Sequence, residues 1–369
     1  MTSIQIEIQL IAVVVAAACA LPGVFLVLRR TAMMSDAISH AILLGIVLAF
    51  FVTNDLASPL LILGAAATGL LTVLLVELLN RTGLVHEDAA IGLVFPVLFS
   101  LGVILIARYA GNVHLDTDSV LLGELAFAPF NRLVVGGVDV GPKSLYVMLG
   151  ILLLSVTFIL LFYKELKLTT FDTGLAAALG FSPVLIHYAL MGLVSATAVG
   201  AFDAVGSILV VALMIAPPAT AYLLTDRLWL MLLASTGIGV ASAIVGYWVA
   251  HLFDVSIAGS MATVAGICFL AGYLWAPERG FIAVTLRRRR QRWEFAETML
   301  AIHLHQHEDL PEAADELRED HLLQHLAWTP RFAQEVVERG VRNGTLVRRR
   351  GYLELTPPGR KLARQALSR

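Results

Sequence analysis

Charge is scarce in this sequence. Asp, Glu, Lys and Arg make up 15% of its 369 residues, against about a quarter in an ordinary soluble domain. That shortage, with a mean hydropathy of +0.81, excludes a soluble globular protein. Cysteine is scarcer still. Cys19 and Cys268 are the whole supply, and both fall inside apolar runs, so neither a disulfide framework nor a Cys-x-x-Cys zinc pattern is available. A nucleotide cradle is missing too. Gly136-Gly-Val-Asp-Val-Gly-Pro-Lys-Ser144 has the outline of a P-loop, but Pro142 displaces the lysine and no strand is expected before it.

What the chain has instead is hydrocarbon. Mostly apolar stretches of roughly 18 to 24 residues, enough to cross about 30 Å as helix, run through 5–28, 33–53, 57–79, 89–107, 144–163, 184–201, 204–224, 229–252 and 257–276. They predict about nine transmembrane helices, because a chain in lipid must satisfy its own backbone hydrogen bonds. The first run has no basic stretch before it and is too long for a secretory signal, so it is expected to remain as a span. An outside N-terminus puts Arg29, Arg30, Arg81, Lys164, Lys167, Arg227, Arg279 and Arg287 to Arg290 in inner connections, and Arg108, Arg132 and Lys143 in outer ones. The positive-inside rule therefore predicts an external N-terminus and a cytoplasmic C-terminus in the cell membrane.

After Ala276 the composition changes. A basic cluster closes the membrane part, and the remainder is charged. Phe295, Met299 and Ile302 give 293–305 a helical period, and Ala313, Leu317, Leu322 and Leu326 do the same for 312–326. Thr329-Pro330 starts a third helix that stops at Gly344. Residues 345–355 read as two short strands around Gly351, and a last helix starts at Pro357. The expected fold class is an all-α polytopic membrane protein over 1–285, followed by a small α+β winged-helix-like cytoplasmic domain over 293–369.

Polar groups inside the spans carry the functional reading. Met33, Asp36 and His40 fall in one narrow arc of a helix, since steps of three and four residues return to nearly the same direction. Carboxylate with imidazole suits zinc, manganese or ferrous iron, and ionisable groups in a span usually face a bundle interior or a wet path. The plainer reading makes Asp36 a helix-end group and His40 an interhelical hydrogen-bonding residue. Glu87 and Asp88 suit a helix N-terminus. Glu124, Asp203, His251 and Asp254 fall toward the outer side, where they read as solvated charges or as an entrance for an ion. His187 reads as a hydrogen-bonded core histidine. Pro217-Pro218 are expected to interrupt a span. The tail histidines, His303, His305, His307, His321 and His325, fit no standard zinc spacing.

Five stretches together resemble the permease subunit of manganese, zinc and iron ABC importers: Met34-Ser-Asp-Ala-Ile-Ser-His-Ala41, Glu87-Asp-Ala-Ala-Ile-Gly-Leu-Val-Phe95, Leu121-Leu-Gly-Glu124, Val205-Gly-Ser-Ile-Leu-Val-Val-Ala-Leu-Met-Ile-Ala-Pro-Pro-Ala-Thr-Ala221 and Trp275-Ala-Pro-Glu-Arg-Gly280. The likeness covers about residues 5–285, in order. It departs at Leu43-Leu44-Gly45, where the family usually has Leu-Pro-Gly. The resemblance implies that Asp36 and His40 are transient ligands of a transported divalent ion, with Met33, Glu124 and Asp203 as further candidates, and that no cofactor is tightly held. It also implies a coupling helix for the ATPase in the loop after Lys164, represented by Thr170, Phe171, Asp172, Leu175, Ala178 and Gly180. The implied partners are ABC ATPase subunits, an extracytoplasmic metal-binding protein, membrane lipid and a second permease, whether a copy or a paralogue. The chain itself would not be an enzyme.

The tail outline is similar to the DNA-binding part of diphtheria-toxin-repressor type regulators, with Arg348, Arg349 and Arg350 on its wing. Eleven basic against twelve acidic side chains over 293–369 argue against nucleic acid as its partner. Two other classes stay open, a membrane-anchored metal-sensing regulator and a proton-coupled secondary carrier using Asp36 or Asp203. Ligand type alone does not rank the three metals.

Overall fold

The computed structural model describes residues 3–54, 58, 60–109, 125–135, 138–308, 326, 328–349 and 352–368. It divides into two compact units, Met1–Gly280 and Phe281–Arg369. In the first, α1 (Ser3–Leu28), α2 (Met33–Thr53), α3 (Leu60–Arg81) and α4 (Glu87–Tyr109) are followed by a hairpin of β1 (Arg132–Val135) and β2 (Val138–Pro142). Next come α5 (Lys143–Leu161), the short α6 (Tyr163–Phe171) and α7 (Thr173–Ala178), then α8 (Pro183–Leu224), α9 (Leu228–Phe253) and α10 (Ile257–Trp275). Among the described residues, eight of these helices are long and apolar enough to cross a membrane.

The longest of them is two spans. His187 stands beside Arg29 at the end of α1, while Met214 and Pro218 press on Gly23 of the same helix. Residues 187 and 218 would lie about 46 Å apart along a straight helix, but 23 and 29 are separated by only about 9 Å. The chain therefore doubles back, and it does so at Gly206, whose φ of 77° and ψ of 166° belong to no helix. That region of backbone space is open essentially to glycine alone. The two legs, about 34 and 27 Å long, each suffice to cross the bilayer. Among the described residues the bundle thus makes nine crossings, and α1 begins at the end opposite to the one where α10 finishes.

Pro217 and Pro218 do not break the chain. They sit inside the second leg of α8. Pro218 has no N–H for the carbonyl of Met214, and that oxygen points at Gly23, where a Cβ would stand 2.2 Å from it. The glycine lets α1 close over a carbonyl the proline has freed. A second close approach joins α2 to α3, where a Cβ on Gly45 would lie 2.2 Å from the Gly64 oxygen and one on Gly64 would lie 2.6 Å from the Gly45 oxygen. Small residues at such crossings let helices without a hydrophobic driving force pack by backbone contact. α1 and α8 are the most enclosed helices, whereas α4 and α5 keep exposed apolar flanks.

The glycine-rich stretch ahead of α5 does follow a strand, contrary to expectation. That strand pairs antiparallel with β2, so the stretch is a hairpin and not a phosphate loop. Arg132 anchors it, bonding Asp139 and, at 2.8 Å, Glu7 of α1. The hairpin therefore lies at the end of the bundle where α1 begins, called here the far end. The near end holds residues 29–32, α6, α7 and the foot of α8.

In the second unit, α11 (Phe281–His307) begins twelve residues before the sequence pattern suggested, and α12 (Pro330–Arg342), β3 (Leu346–Arg349), β4 (Tyr352–Leu355) and α13 (Pro357–Leu367) follow. The helix expected at 312–326 lies almost wholly outside the described residues. Leu300, Val337, Leu346, Leu353 and Ala363 form the core. Glu297 is buried with them and accepts from Asn343 at 2.8 Å and Thr345 at 2.6 Å. Gly344, at φ 71°, ends α12 as its pattern predicted.

Candidate functional site

The sequence places an acid and a histidine one turn apart, and the fold keeps them together. Asp36 Oδ1 lies 3.4 Å from His40 Nε2, with the two side chains 31% and 28% exposed. They occupy the first two turns of α2, near its root. The His40 ring faces Phe95 and Phe99 of α4, with centroids 5.8 and 6.2 Å away. These rings compete for no ligand position.

The other candidates do not converge on this pair. Met33, the first residue of α2, is 52% exposed. Asp203 is exposed beside the Gly206 reversal. It lies eight residues, or about 12 Å, farther along its helix than Ser195, which is level with Ile38 across Gly69. Glu124 lies outside the described residues. His251 stacks on Tyr247 at the far end of α9, and Asp254 caps that helix at φ 54°. Among the described residues no three His, Cys, Asp or Glu side chains form a ready-made metal cluster. In the second unit His303 and His307 pair ring to ring at 4.5 Å, and His305 faces Glu308; His321 and His325 lie outside the described residues.

At the near end the candidate coupling residues form a short surface helix. Asp172 caps α7 by accepting from Leu175 N–H at 2.8 Å. Gly180, at φ 87°, ends it, with Phe181 N–H bonding Ala176 O and Gly180 N–H bonding Ala177 O. This is the paired bonding of a helix stopped by a left-handed residue. Within α7 only Ala176 is buried. Phe171, Leu175 and Leu179 are 62%, 47% and 59% exposed, and Ala178 is exposed beside them. Thr170, in the last turn of α6, accepts from Arg29 at 3.1 Å.

That arginine belongs to a cluster sequence reasoning missed. Arg29 Nη2 donates to Thr169 at 2.9 Å and Nη1 lies 3.3 Å from His187 Nδ1. Arginine only donates, so Nδ1 accepts and the ring proton sits on Nε2. Nε2 in turn lies 3.1 Å from Glu77 Oε1, without the alignment of a hydrogen bond. Tyr188 closes the group by donating to Glu77 Oε2 at 2.5 Å. Burial pushes the Arg29 guanidinium down to about 10, which leaves it charged at neutral pH. Two signals were available in the sequence: Glu77 is an acid within an apolar span, and Arg29 was counted only as a topology marker.

The fold and these two regions define a polytopic membrane permease with a short, exposed apolar surface helix and an ionisable pair at the root of one span. The chain belongs to the ABC 3 transport family (ABC-3), whose profile fits residues 2–276. It is 49% identical over 361 residues to the zinc transport system membrane protein TroD of Treponema pallidum, covering 98% of each chain. It is 50% identical over 284 residues to the manganese transport system membrane protein MntD of Bacillus subtilis, covering 77% of this chain and 96% of that one. Among solved structures, PsaBC from Streptococcus pneumoniae in complex with Fab matches with a TM-score of 0.65 and 29% identity, over 77% of this chain and 96% of that one. Membership makes the chain a multi-pass permease subunit of an ABC import system, and ATP is hydrolysed on a separate subunit.

Proposed function

We propose that the chain carries a divalent metal ion, zinc, manganese or iron, inward across the plasma membrane, with its N-terminus outside and its tail in the cytoplasm. The observation that carries this reading is the Asp36–His40 pair, 3.4 Å apart and part-exposed at the root of α2. An ion passing the pair exchanges part of its hydration for one carboxylate and one imidazole. Two ligands bind weakly enough for release, as conduction requires. The pair adjoins α4, whose outer flank is exposed in a single chain, so a second permease, identical or paralogous, closes the pathway there. No cofactor is held permanently. An extracytoplasmic binding protein delivers the ion at the far end, near Asp203, and the ATPase docks on Phe171, Leu175, Ala178 and their neighbours.

Residues 1–285 serve as the permease domain, and residues 293–369 form a winged-helix-like accessory domain. The MntD match, which spans nearly all of that relative and 77% of this chain, supports a tail that the membrane fold does not need. The test is metal-resolved uptake into vesicles containing the ATPase. Asp36→Ala and His40→Ala should each abolish most uptake while ATPase assembly persists. Full uptake by both variants ends the ligand assignment.

A further inference from the structure

We infer that Arg29 is a positioning residue that fastens the ATPase-docking segment to the root of α2, so that movement of α6 and α7 is delivered to Asp36 and His40. The inference rests on the docking role proposed above for α7, and it names the device by which docking reaches the ion pathway.

Arg29 joins parts of the chain far apart in sequence. Its donors go to Thr169 and Thr170, in the last turn of α6, and to His187 at the foot of α8. Asp172, two residues past Thr170, opens α7. On its other side Arg29 sits in the tight link between α1 and α2. Arg30 holds φ 63° there, with Arg30 N–H bonding Val27 O at 3.1 Å and Thr31 N–H bonding Leu26 O at 3.0 Å. This turn is the rigid kind usually built on glycine. Met33 then begins α2, and Asp36 follows within its first turn. One residue thus ties the last turn of α6, just ahead of α7, to the link that leads into the ligand-bearing helix.

The partners suit a joint that must shift. A largely buried cation that served packing alone would be better replaced by an apolar residue, or matched directly by a carboxylate. Arg29 meets neutral acceptors, two hydroxyls and one imidazole nitrogen, while Glu77 stands behind the imidazole. Bonds to neutral acceptors are weaker than bonds to carboxylates, so the arginine can exchange one for another without leaving a bare ion pair. Coupling between sites needs such an element with alternative arrangements.

The experiment uses the full chain co-reconstituted with its ATPase in proteoliposomes, and reads metal transported per ATP hydrolysed together with nucleotide-dependent labelling of a Met33→Cys probe. Leu175→Glu should release the ATPase; if it does not, the docking assignment fails independently of Arg29. With docking secure, Arg29→Ala should keep the ATPase bound and hydrolysing, lower metal moved per ATP by roughly tenfold, and abolish the nucleotide-dependent labelling change. Arg29→Lys should recover part of both. The paired Thr169→Val and Thr170→Val substitutions remove the acceptors at nearly constant volume and should repeat the defect, and they decide the matter if Arg29→Ala does not fold. Unchanged transport per ATP, or loss of ATPase assembly in place of loss of coupling, overturns the inference.

Discussion

The two ends of α1 each carry an arginine-centred cluster, and they are built on opposite principles. At the far end Arg132 holds Glu7 and Asp139, with all three side chains substantially exposed. Carboxylate bonding raises its already high pKa, but water and salt can substitute for such partners, and exposed ion pairs contribute little to stability. At the near end Arg29 is withdrawn from water and meets mostly neutral acceptors. Its partners cannot be replaced by solvent without rearranging α6. The far end is shaped by backbone, through the Gly206 reversal and the β hairpin, whereas the near end is shaped by side chains. A backbone device sets a fixed form, while a side-chain device can be remade, which suits the end where the ATPase is proposed to dock.

The largest expected effect comes from the interior both ends depend on. Gly45→Val drives a side chain into the Gly64 carbonyl and should cost at least about 3 kcal/mol, read as a large drop in Tm in detergent or as failure to accumulate. Gly206→Ala strains the far-end reversal by about 1–3 kcal/mol. It should lower Tm and leave ATPase binding intact, because α7, the proposed docking helix, lies at the opposite end. Arg29→Ala and Arg132→Ala provide the direct contrast. The first loses three bonds among part-buried groups and should cost about 1 kcal/mol in the same melting experiment, whereas the second should leave Tm unchanged at moderate salt. Equal effects would remove the distinction between the two ends.

The smallest expected effect lies in the second unit. Arg360 donates to Glu308 and holds that carboxyl below its ordinary value of 4.5. A depressed folded-state pKa gives stability that is fully present above the unfolded value and lost as pH falls through the folded one. Acidification below about pH 4.5 should therefore weaken the hold of α13 on the end of α11 by about 0.5 kcal/mol. Arg360→Gln should remove that acid sensitivity, as melting of the intact chain between pH 3 and 6 would report.

Much of the fold was legible in the residues. Apolar run length gave nine crossings, and the break between 201 and 204 fell within a few residues of Gly206. The Asp36–His40 spacing survived because it is local to one helix. The Pro217-Pro218 pair misled, because a proline costs only one donor when a neighbouring helix offers a glycine against the freed carbonyl. The Arg29 cluster was illegible for a different reason. Its members, Glu77, Thr169, Thr170, His187 and Tyr188, are scattered over more than a hundred residues, and each has an ordinary local explanation.

The sequence by itself determined that this chain lives in a bilayer, about how often it crosses, and which acid and histidine share a helical face. Those features follow from hydrophobic length and from spacing within a few turns, both of which are local. The tertiary structure alone decided that Gly206 makes the reversal between two spans, that Gly23 covers a carbonyl left by Pro218, and that Arg29 reaches the last turn of α6. Each depends on which surfaces meet when helices pack, and in lipid that is governed by close backbone approach and by the need to satisfy every buried polar group, not by any pattern along one segment.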